Sequence, residues 1–380
     1  MLFSEIIGQE EIRRRLIKTV VDGRVSHAQL FFGPEGIGKL PLAIAYAQYL
    51  SCSNKQPDDS CGECPSCMKY QKYAHPDLHF IFPTSTTKSV SKDPSSSKFM
   101  SEWREFLMIN KGYGSLEEWY DFIGIENKQG NIYAADCGEI IRALSLKTYE
   151  AEFKVVVIWM VERLYYSAAP KLLKTLEEPP QKTIFLLVSE NPDMIIRTIL
   201  SRTQMVKIPR ITDQALHQSI AENWNMSESE TTSIVRMAEG NYIEACRLIS
   251  HDEKNMRFLD SFREWMRLCY RLFQQSMDYV ALINWIEDFS KLGREKQKSF
   301  IRYSTEILQE CNAMNTSPDA QPKLDEQEIE FVGKFSKIVT PHNCGDVTKE
   351  MNSAYHHLER NANPKILMMD LSVKVGQLLN

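Results

Sequence analysis

Gly33-Pro34-Glu35-Gly36-Ile37-Gly38-Lys39-Leu40 is the stretch on which the fold turns. It is one residue away from G-x-x-x-x-G-K-[S/T], the loop whose backbone N–H groups cradle phosphates and whose last hydroxyl holds Mg²⁺. Leu40 stands where that hydroxyl belongs. The flanks supply the context the motif needs. His27-Ala28-Gln29-Leu30-Phe31-Phe32 predicts a short strand running into the loop. Leu40 to Leu50 predicts a helix leaving it, with Pro41 tolerated in the first turn. Loop amides and a helix N-terminus favour an anion, and Lys39 would reach the outer phosphates. Gly33, Gly36, Gly38 and Lys39 are therefore the candidate nucleotide-binding residues. Without a hydroxyl at position 40 no bound Mg²⁺ is expected, and occupancy by ATP or ADP stays open.

Lys154-Val155-Val156-Val157-Ile158 and Ile184-Phe185-Leu186-Leu187-Val188 are runs typical of strands buried on both faces of a parallel sheet. The first ends in Trp159-Met160, where a hydrolysing enzyme carries acids for metal and water. Glu162 lies two residues on, but strand alternation and the following turn aim it elsewhere. No intrinsic ATPase is expected. Residues 9–22, with Ile12, Leu16, Ile17, Val20 and Val21 at helical spacing, predict a helix. So do Asp136 to Ser145 and Ser167 to Glu178, the latter stopped by Pro179-Pro180. Residues 84–98 are polar and low in complexity, and read as a loop or disordered insertion. Phe99 to Phe122 predicts short helices. The polar insertion as a whole covers about 84–130, and its residues suggest no function. Strands alternating with helices give an α/β class, a three-layer domain with a parallel sheet over 1–210. A small helical domain is predicted for 211–250 and an all-α domain for 251–380. In the latter Phe258, Phe262, Trp265, Met266, Cys269, Leu272 and Phe273 form one stripe. The last helix starts after Pro364, with Leu367, Leu371, Val375 and Leu378 on one face.

The chain has 380 residues, 43% of them hydrophobic, which is enough for two or three cores. Its net charge of −5 gives no overall basic signal for nucleic acid. No apolar run approaches the ~18–20 residues that span a bilayer, and the first residues do not read as a signal peptide. A cytoplasmic protein is expected. Of nine cysteines, four lie at Cys52, Cys61, Cys64 and Cys67, with Gly62 and Pro65 shaping tight knuckles. Two-residue spacers are chelating geometry, and four thiolates leave no open coordination position, so the expectation is structural Zn²⁺. Cys137, Cys246, Cys269, Cys311 and Cys344 are scattered and read as buried thiols of a reduced compartment.

Arg197-Thr198-Ile199-Leu200-Ser201-Arg202-Thr203 follows the second buried strand. An arginine at such a helix end can project to a neighbouring subunit's γ-phosphate. More often it is a surface ion-pair partner.

Taken together the chain resembles the delta-prime type of bacterial DNA polymerase III clamp-loader subunit, of the AAA+ class. The residues that carry the resemblance run almost end to end. They are Ile7-Gly8-Gln9, His27-Ala28, the four-cysteine module directly after the loop's helix, and His75-Pro76-Asp77. They continue with Leu172-Leu173-Lys174-Thr175-Leu176-Glu177-Glu178-Pro179-Pro180, Ser201-Arg202, and Arg360-Asn361-Ala362-Asn363-Pro364. The resemblance implies a P-loop domain with an inserted zinc module, a helical lid and an all-α collar. It implies a non-hydrolysing ring subunit whose Arg202 acts in trans. Thr203 replaces the cysteine of the family's Ser-Arg-Cys motif, and a further nucleotide-sensing arginine is missing at about Ile243. Implied partners are tau/gamma and delta subunits, with the sliding clamp and primer-template DNA reached through the complex, and no membrane. Two rivals are an ATP-hydrolysing motor subunit of tau/gamma type and a zinc-dependent nucleic-acid-binding module. Leu40 and Trp159-Met160 argue against the first. The negative charge argues against the second, as does a cysteine cluster with few basic or aromatic neighbours beyond Lys69, Tyr70, Lys72 and Tyr73.

Overall fold

In the computed structural model of this chain the glycine loop joins strand β1 (Ala28–Phe32) to the helix Lys39–Ser51. Residues 1–125, 128–224, 226–249, 253–273, 279–316, 324 and 326–379 are described. Residues 126 and 127 of the polar segment lie outside them. Four further strands complete a sheet: β2 (Leu78–Ile81), β3 (Lys154–Trp159), β4 (Thr183–Ser189) and β5 (Gln204–Lys207). The order is β2-β3-β4-β1-β5, and every pairing is parallel. Leu30 of β1 pairs with Leu187 on one side and Met205 on the other.

Side chains alternate across a strand, and here both faces are apolar. Phe31, Val155, Val157, Ile184, Leu186 and Val188 join the core built on helix Lys39–Ser51, which is buried along its whole length. Ala28, Leu30, Val156, Ile158, Phe185 and Leu187 join a second core with Cys137 and Leu144 of helix Ala134–Ser145 and Leu172 and Leu176 of helix Ala169–Glu177. Helices on both faces make the three layers.

Strands β2 and β5 are absent from the sequence reading. Both are four residues long; His79 interrupts the apolar residues of β2, and β5 buries only Val206. Residues 84–98 are more built-in than a disordered insertion would be. Thr84, Ser85, Ser95 and Ser96 are buried. The Ser96 hydroxyl donates to the Phe82 carbonyl (3.0 Å) and accepts the Phe82 N–H (3.1 Å). The Ser96 N–H donates to Asp136 at 2.6 Å. Polar side chains that hydrogen-bond backbone can be buried, and a low-complexity composition does not reveal this. The segment 99–122 forms the helices Met100–Ile109 and Leu116–Ile123.

The chain divides into two compact units, residues 1–125 with 129–246, and residues 126–128 with 247–380. The second is helical. Trp265 is fully buried, stacks on Trp285 at 5.5 Å between centroids and donates to the Ser372 hydroxyl at 2.8 Å. Phe262, Met266 and Cys269 follow the expected stripe, but Phe273 is half exposed. Its helix, Glu253–Arg271, has already ended, so the helical period no longer places it. Burial pushes the thiols of Cys137, Cys269 and Cys311 up to about 12. Cys246 is only half buried.

His75-Pro76-Asp77 proves to be a structural device. The Asp77 carboxylate accepts backbone N–H groups from Tyr149 (2.8 Å), Glu150 (3.0 Å) and Ala151 (3.0 Å), tying the loop before β3 to the start of β2. His75 stacks on Tyr70 at 4.6 Å, its Nδ1 accepts the Asp77 N–H at 3.1 Å, and its Nε2 lies 3.1 Å from Glu150 Oε1. Burial holds the His75 pKa below its ordinary value. Burial would raise the Asp77 pKa, but the three N–H donors outweigh it and hold the carboxyl below its usual range.

Asp77→Ala leaves three N–H groups without their acceptor and should cost about 2–3 kcal/mol in urea unfolding at pH 7. The folded-state pKa of Asp77 lies below the unfolded value of about 3.9. Its contribution is therefore fully present above that pH and lost as pH falls through the lower folded value. The gap between wild type and variant should hold constant from pH 7 to 5 and narrow below about pH 4.

Candidate functional site

The glycine loop is held from three directions. Gly36 (φ +71°) and Gly38 (φ +86°) adopt left-handed conformations that favour glycine. A Cβ at Gly36 would lie 1.6 Å from Asn241 Oδ1, and one at Gly38 would lie 3.0 Å from the Tyr113 hydroxyl. The Tyr242 N–H donates to the Gly36 carbonyl at 3.0 Å. Tyr113 packs on Tyr242 (4.8 Å between centroids), and its hydroxyl accepts the Ile7 N–H at 2.9 Å. From below, Gln9 Nε2 donates to the carbonyls of Ile37 (3.1 Å) and Pro209 (2.8 Å).

Lys39 is only 6% exposed. Its ammonium donates to the Pro34 carbonyl and lies 3.8 Å from Glu190 Oε1. Burial pulls its pKa down, and the charges of Glu190, Glu162 and Glu35 partly offset this. The loop's cation thus has protein partners of its own. Leu40 is buried in the core under β1, and Trp159 packs against Trp103 at 5.1 Å in an aromatic group with Phe106. Leu40 and Trp159 are packing residues. Glu162 is closer to this end of the sheet than strand alternation suggested. Its Oε1 accepts the N–H groups of Glu190 (2.8 Å) and Asn191 (3.3 Å), and Oε2 is buried with no partner among the described residues.

Cys52, Cys61, Cys64 and Cys67 converge, with all four Sγ atoms within 4.8 Å of one another. Sγ separations of 3.6 Å (Cys52–Cys61) and 3.9 Å (Cys61–Cys67) match the edge of a tetrahedron with ~2.3 Å metal–sulfur bonds, about 3.8 Å. N–H groups of Cys61, Cys64 and Cys67 donate to the sulfurs of Cys52 (3.4 Å), Cys61 (3.3 Å) and Cys64 (3.4 Å). These bonds favour thiolate and orient each ligand. The donor set fits a four-coordinate metal ion such as zinc. Such an ion would be held by Cys52, Cys61, Cys64 and Cys67, and would cross-link the loop after helix Lys39–Ser51 to helix Pro65–Gln71.

Arg202 lies elsewhere. Its Nη1 donates to the Thr198 carbonyl (3.0 Å) and the Ser201 hydroxyl (3.3 Å), and Nη2 lies 2.5 Å from Glu177 Oε1. An open cavity of about 460 Å³ is lined by His27, Leu176, Glu177, Ser201 and Arg202. His27 precedes β1 and Gly33 follows it, so this cavity and the glycine loop sit at opposite ends of β1. Five residues of strand put about 16 Å between them. Arg202 stands away from the chain's own glycine loop.

The profile described as "DNA polymerase III, delta subunit" matches residues 8–212, more than half of the chain. The chain belongs to this family. Relatives of the family carry both subunit names. The chain is similar to DNA polymerase III subunit tau of Bacillus subtilis (strain 168), 29% identical over 252 residues, which is 65% of this chain and 37% of the relative. It is similar to subunit delta' of the same organism, 25% identical over 246 residues, 64% of this chain and 60% of the relative. Subunit delta' of Yersinia pestis is 31% identical over 193 residues, 50% of this chain and 43% of the relative. The chain therefore spans from about a third to three-fifths of these relatives' lengths, and identity does not separate the subunit types. Among the described residues no helix is long and apolar enough to cross a membrane.

Tyr113, Asn241, Glu190 and Glu177 were not singled out as site residues in the sequence. A signal existed for the first, a tyrosine between Gly112 and Gly114, where glycines permit close approach.

Purified protein should carry about one metal ion per chain by elemental analysis. The double variant Cys64→Ser, Cys67→Ser should lose it and melt at lower temperature. Full metal content in that variant would remove these four residues as the ligand set.

Proposed function

We propose that this chain is a non-hydrolysing subunit of the DNA polymerase III clamp-loader ring, and that Arg202 completes the ATP site of a neighbouring subunit. The observation that carries this reading is the position of Arg202 in an open cavity at the end of β1 remote from its own glycine loop. That loop supports the same reading. Lys39 is enclosed and paired within the protein, Tyr113 and Asn241 crowd the glycines, and the metal-binding positions are filled by Leu40, Trp159 and Met160. An arginine supplied in trans stabilises charge on a transferring γ-phosphoryl group.

The proposed organisation is an AAA+ domain over 1–210, a lid over 211–250 and a collar over 251–380. Helices Asp213–Asn223, Glu228–Ala238 and Tyr242–Ile249 would form the lid. In the helical unit, Val280 and Ile283 of one helix and Ile366, Met369 and Val373 of another are exposed apolar residues, the kind of surface that ring assembly would cover. Tau/gamma and delta subunits are the proposed neighbours, and the sliding clamp and primer-template DNA would be engaged by the assembled ring. The four-cysteine module would hold structural zinc with no chemical role.

The isolated chain should not hydrolyse ATP above background. Turnover that disappears in Lys39→Ala would overturn the non-hydrolysing reading, since a contaminant would not respond to that change. In a reconstituted ring, Arg202→Ala should leave assembly intact and lower DNA-stimulated ATPase and clamp loading. A finger arginine contributes roughly 10³–10⁵ in rate at a single site. The ring should lose less, because Arg202 serves one interface. Unchanged ATPase and loading in an assembled mutant ring would sink the assignment.

A further inference from the structure

We propose that Glu177 is the positioning residue for Arg202, holding the guanidinium in place before a neighbour's triphosphate arrives. This rests on the reading of Arg202 given above. Glu177 lies in the run Leu172-Leu173-Lys174-Thr175-Leu176-Glu177-Glu178-Pro179-Pro180. Its apolar members fix its place: Leu172 and Leu176 are buried in the core on one face of the sheet. The helix ends at Glu177, and the Leu176 carbonyl lies 3.2 Å from His27 Nε2, which pins that end beside the start of β1. Glu177 is thus presented from a rigid base, at 2.5 Å from Arg202 Nη2.

Arg202 stands on the turn after the short helix Arg197–Leu200. Thr198 and Ser201 engage Nη1 and Glu177 engages Nη2, so both terminal nitrogens are fixed while Nε makes no hydrogen bond among the described residues. The side chains of Arg202 and Glu177 are 35% and 48% exposed. An ion pair this exposed adds little to stability, so its value lies in orientation. A free arginine must give up rotamer freedom when it meets a phosphate. One already held gives up less, and that difference appears in the chemical step. The carboxylate also repels an incoming anion, so it improves the rate without improving nucleotide binding.

The test uses rings reconstituted with the neighbouring subunits and carrying wild type, Glu177→Ala, Glu177→Asp, Arg202→Ala or the Glu177→Ala, Arg202→Ala double variant. Glu177→Ala should lower DNA-stimulated kcat roughly threefold to tenfold, with KM for ATP unchanged or lower. Glu177→Asp should recover most of the rate. The double variant should be no slower than Arg202→Ala, because nothing is left to position. A wild-type kcat for Glu177→Ala, or losses that multiply in the double variant, would overturn the role of Glu177 and leave that of Arg202 standing. A wild-type rate for Arg202→Ala would overturn both. A Glu177→Ala ring that fails to assemble, with no rescue by aspartate, would make Glu177 a structural residue only.

Discussion

The structure depends on β1 being paired on both edges and buried on both faces. Its backbone is fixed between β4 and β5, and its side chains belong alternately to two cores. A strand so constrained has no freedom to shift register, because a one-residue slip would exchange its two faces. Whatever stands at its two ends is therefore placed with the rigidity of the sheet. At one end stand the glycine loop and Lys39. At the other stand His27 and, brought beside it by the turns before β4 and β5, Glu177 and Arg202. The separation of a closed site from an open one follows from this single element.

At the loop end Leu40, Trp159 and Met160 are packing residues. A hydroxyl at position 40 would stand in apolar core, where Leu40 sits, and acids at 159 and 160 would replace Trp159 of a buried aromatic group and the buried Met160. A carboxylate introduced at either position would need compensating changes in the core, because an uncompensated buried carboxylate is strongly unfavourable. The polar segment contributes to this closure. Tyr113 comes from it and meets both the loop at Gly38 and the residues around Tyr242. A role for the insertion that was invisible in composition is visible in contact.

Much of the sheet could be read from the chain because β3 and β4 are buried on both faces and carry runs of consecutive apolar residues, while β1, interrupted by Gln29, was marked by the glycine loop it enters. The edge strands are short, β2 interrupted by His79 and β5 with a single buried residue, and they escaped notice for this reason. The cysteine cluster was legible because ligand spacing is a local property, confirmed by the Sγ distances. Asp77 could be noticed but not explained, since its partners at 149–151 are more than seventy residues away. The same holds for Tyr113 and the loop. Contacts between remote segments leave no periodicity, and only the folded chain shows them.

The two cations at the ends of β1 are also chemically suited to their different surroundings. A lysine can be enclosed because its ammonium is compact and is satisfied by a few acceptors, here the Pro34 carbonyl with Glu190 nearby. Burial lowers the Lys39 pKa, and the charges of Glu190, Glu162 and Glu35 offset this in part. An arginine keeps its charge in any setting and offers five donors in a planar fork, so three can be spent on Thr198, Ser201 and Glu177 with others remaining. Of the two, only Arg202 combines permanent charge, spare donors and an open approach. Under the proposed function, the cation offered to a phosphate is Arg202 rather than the lysine of the phosphate-binding motif.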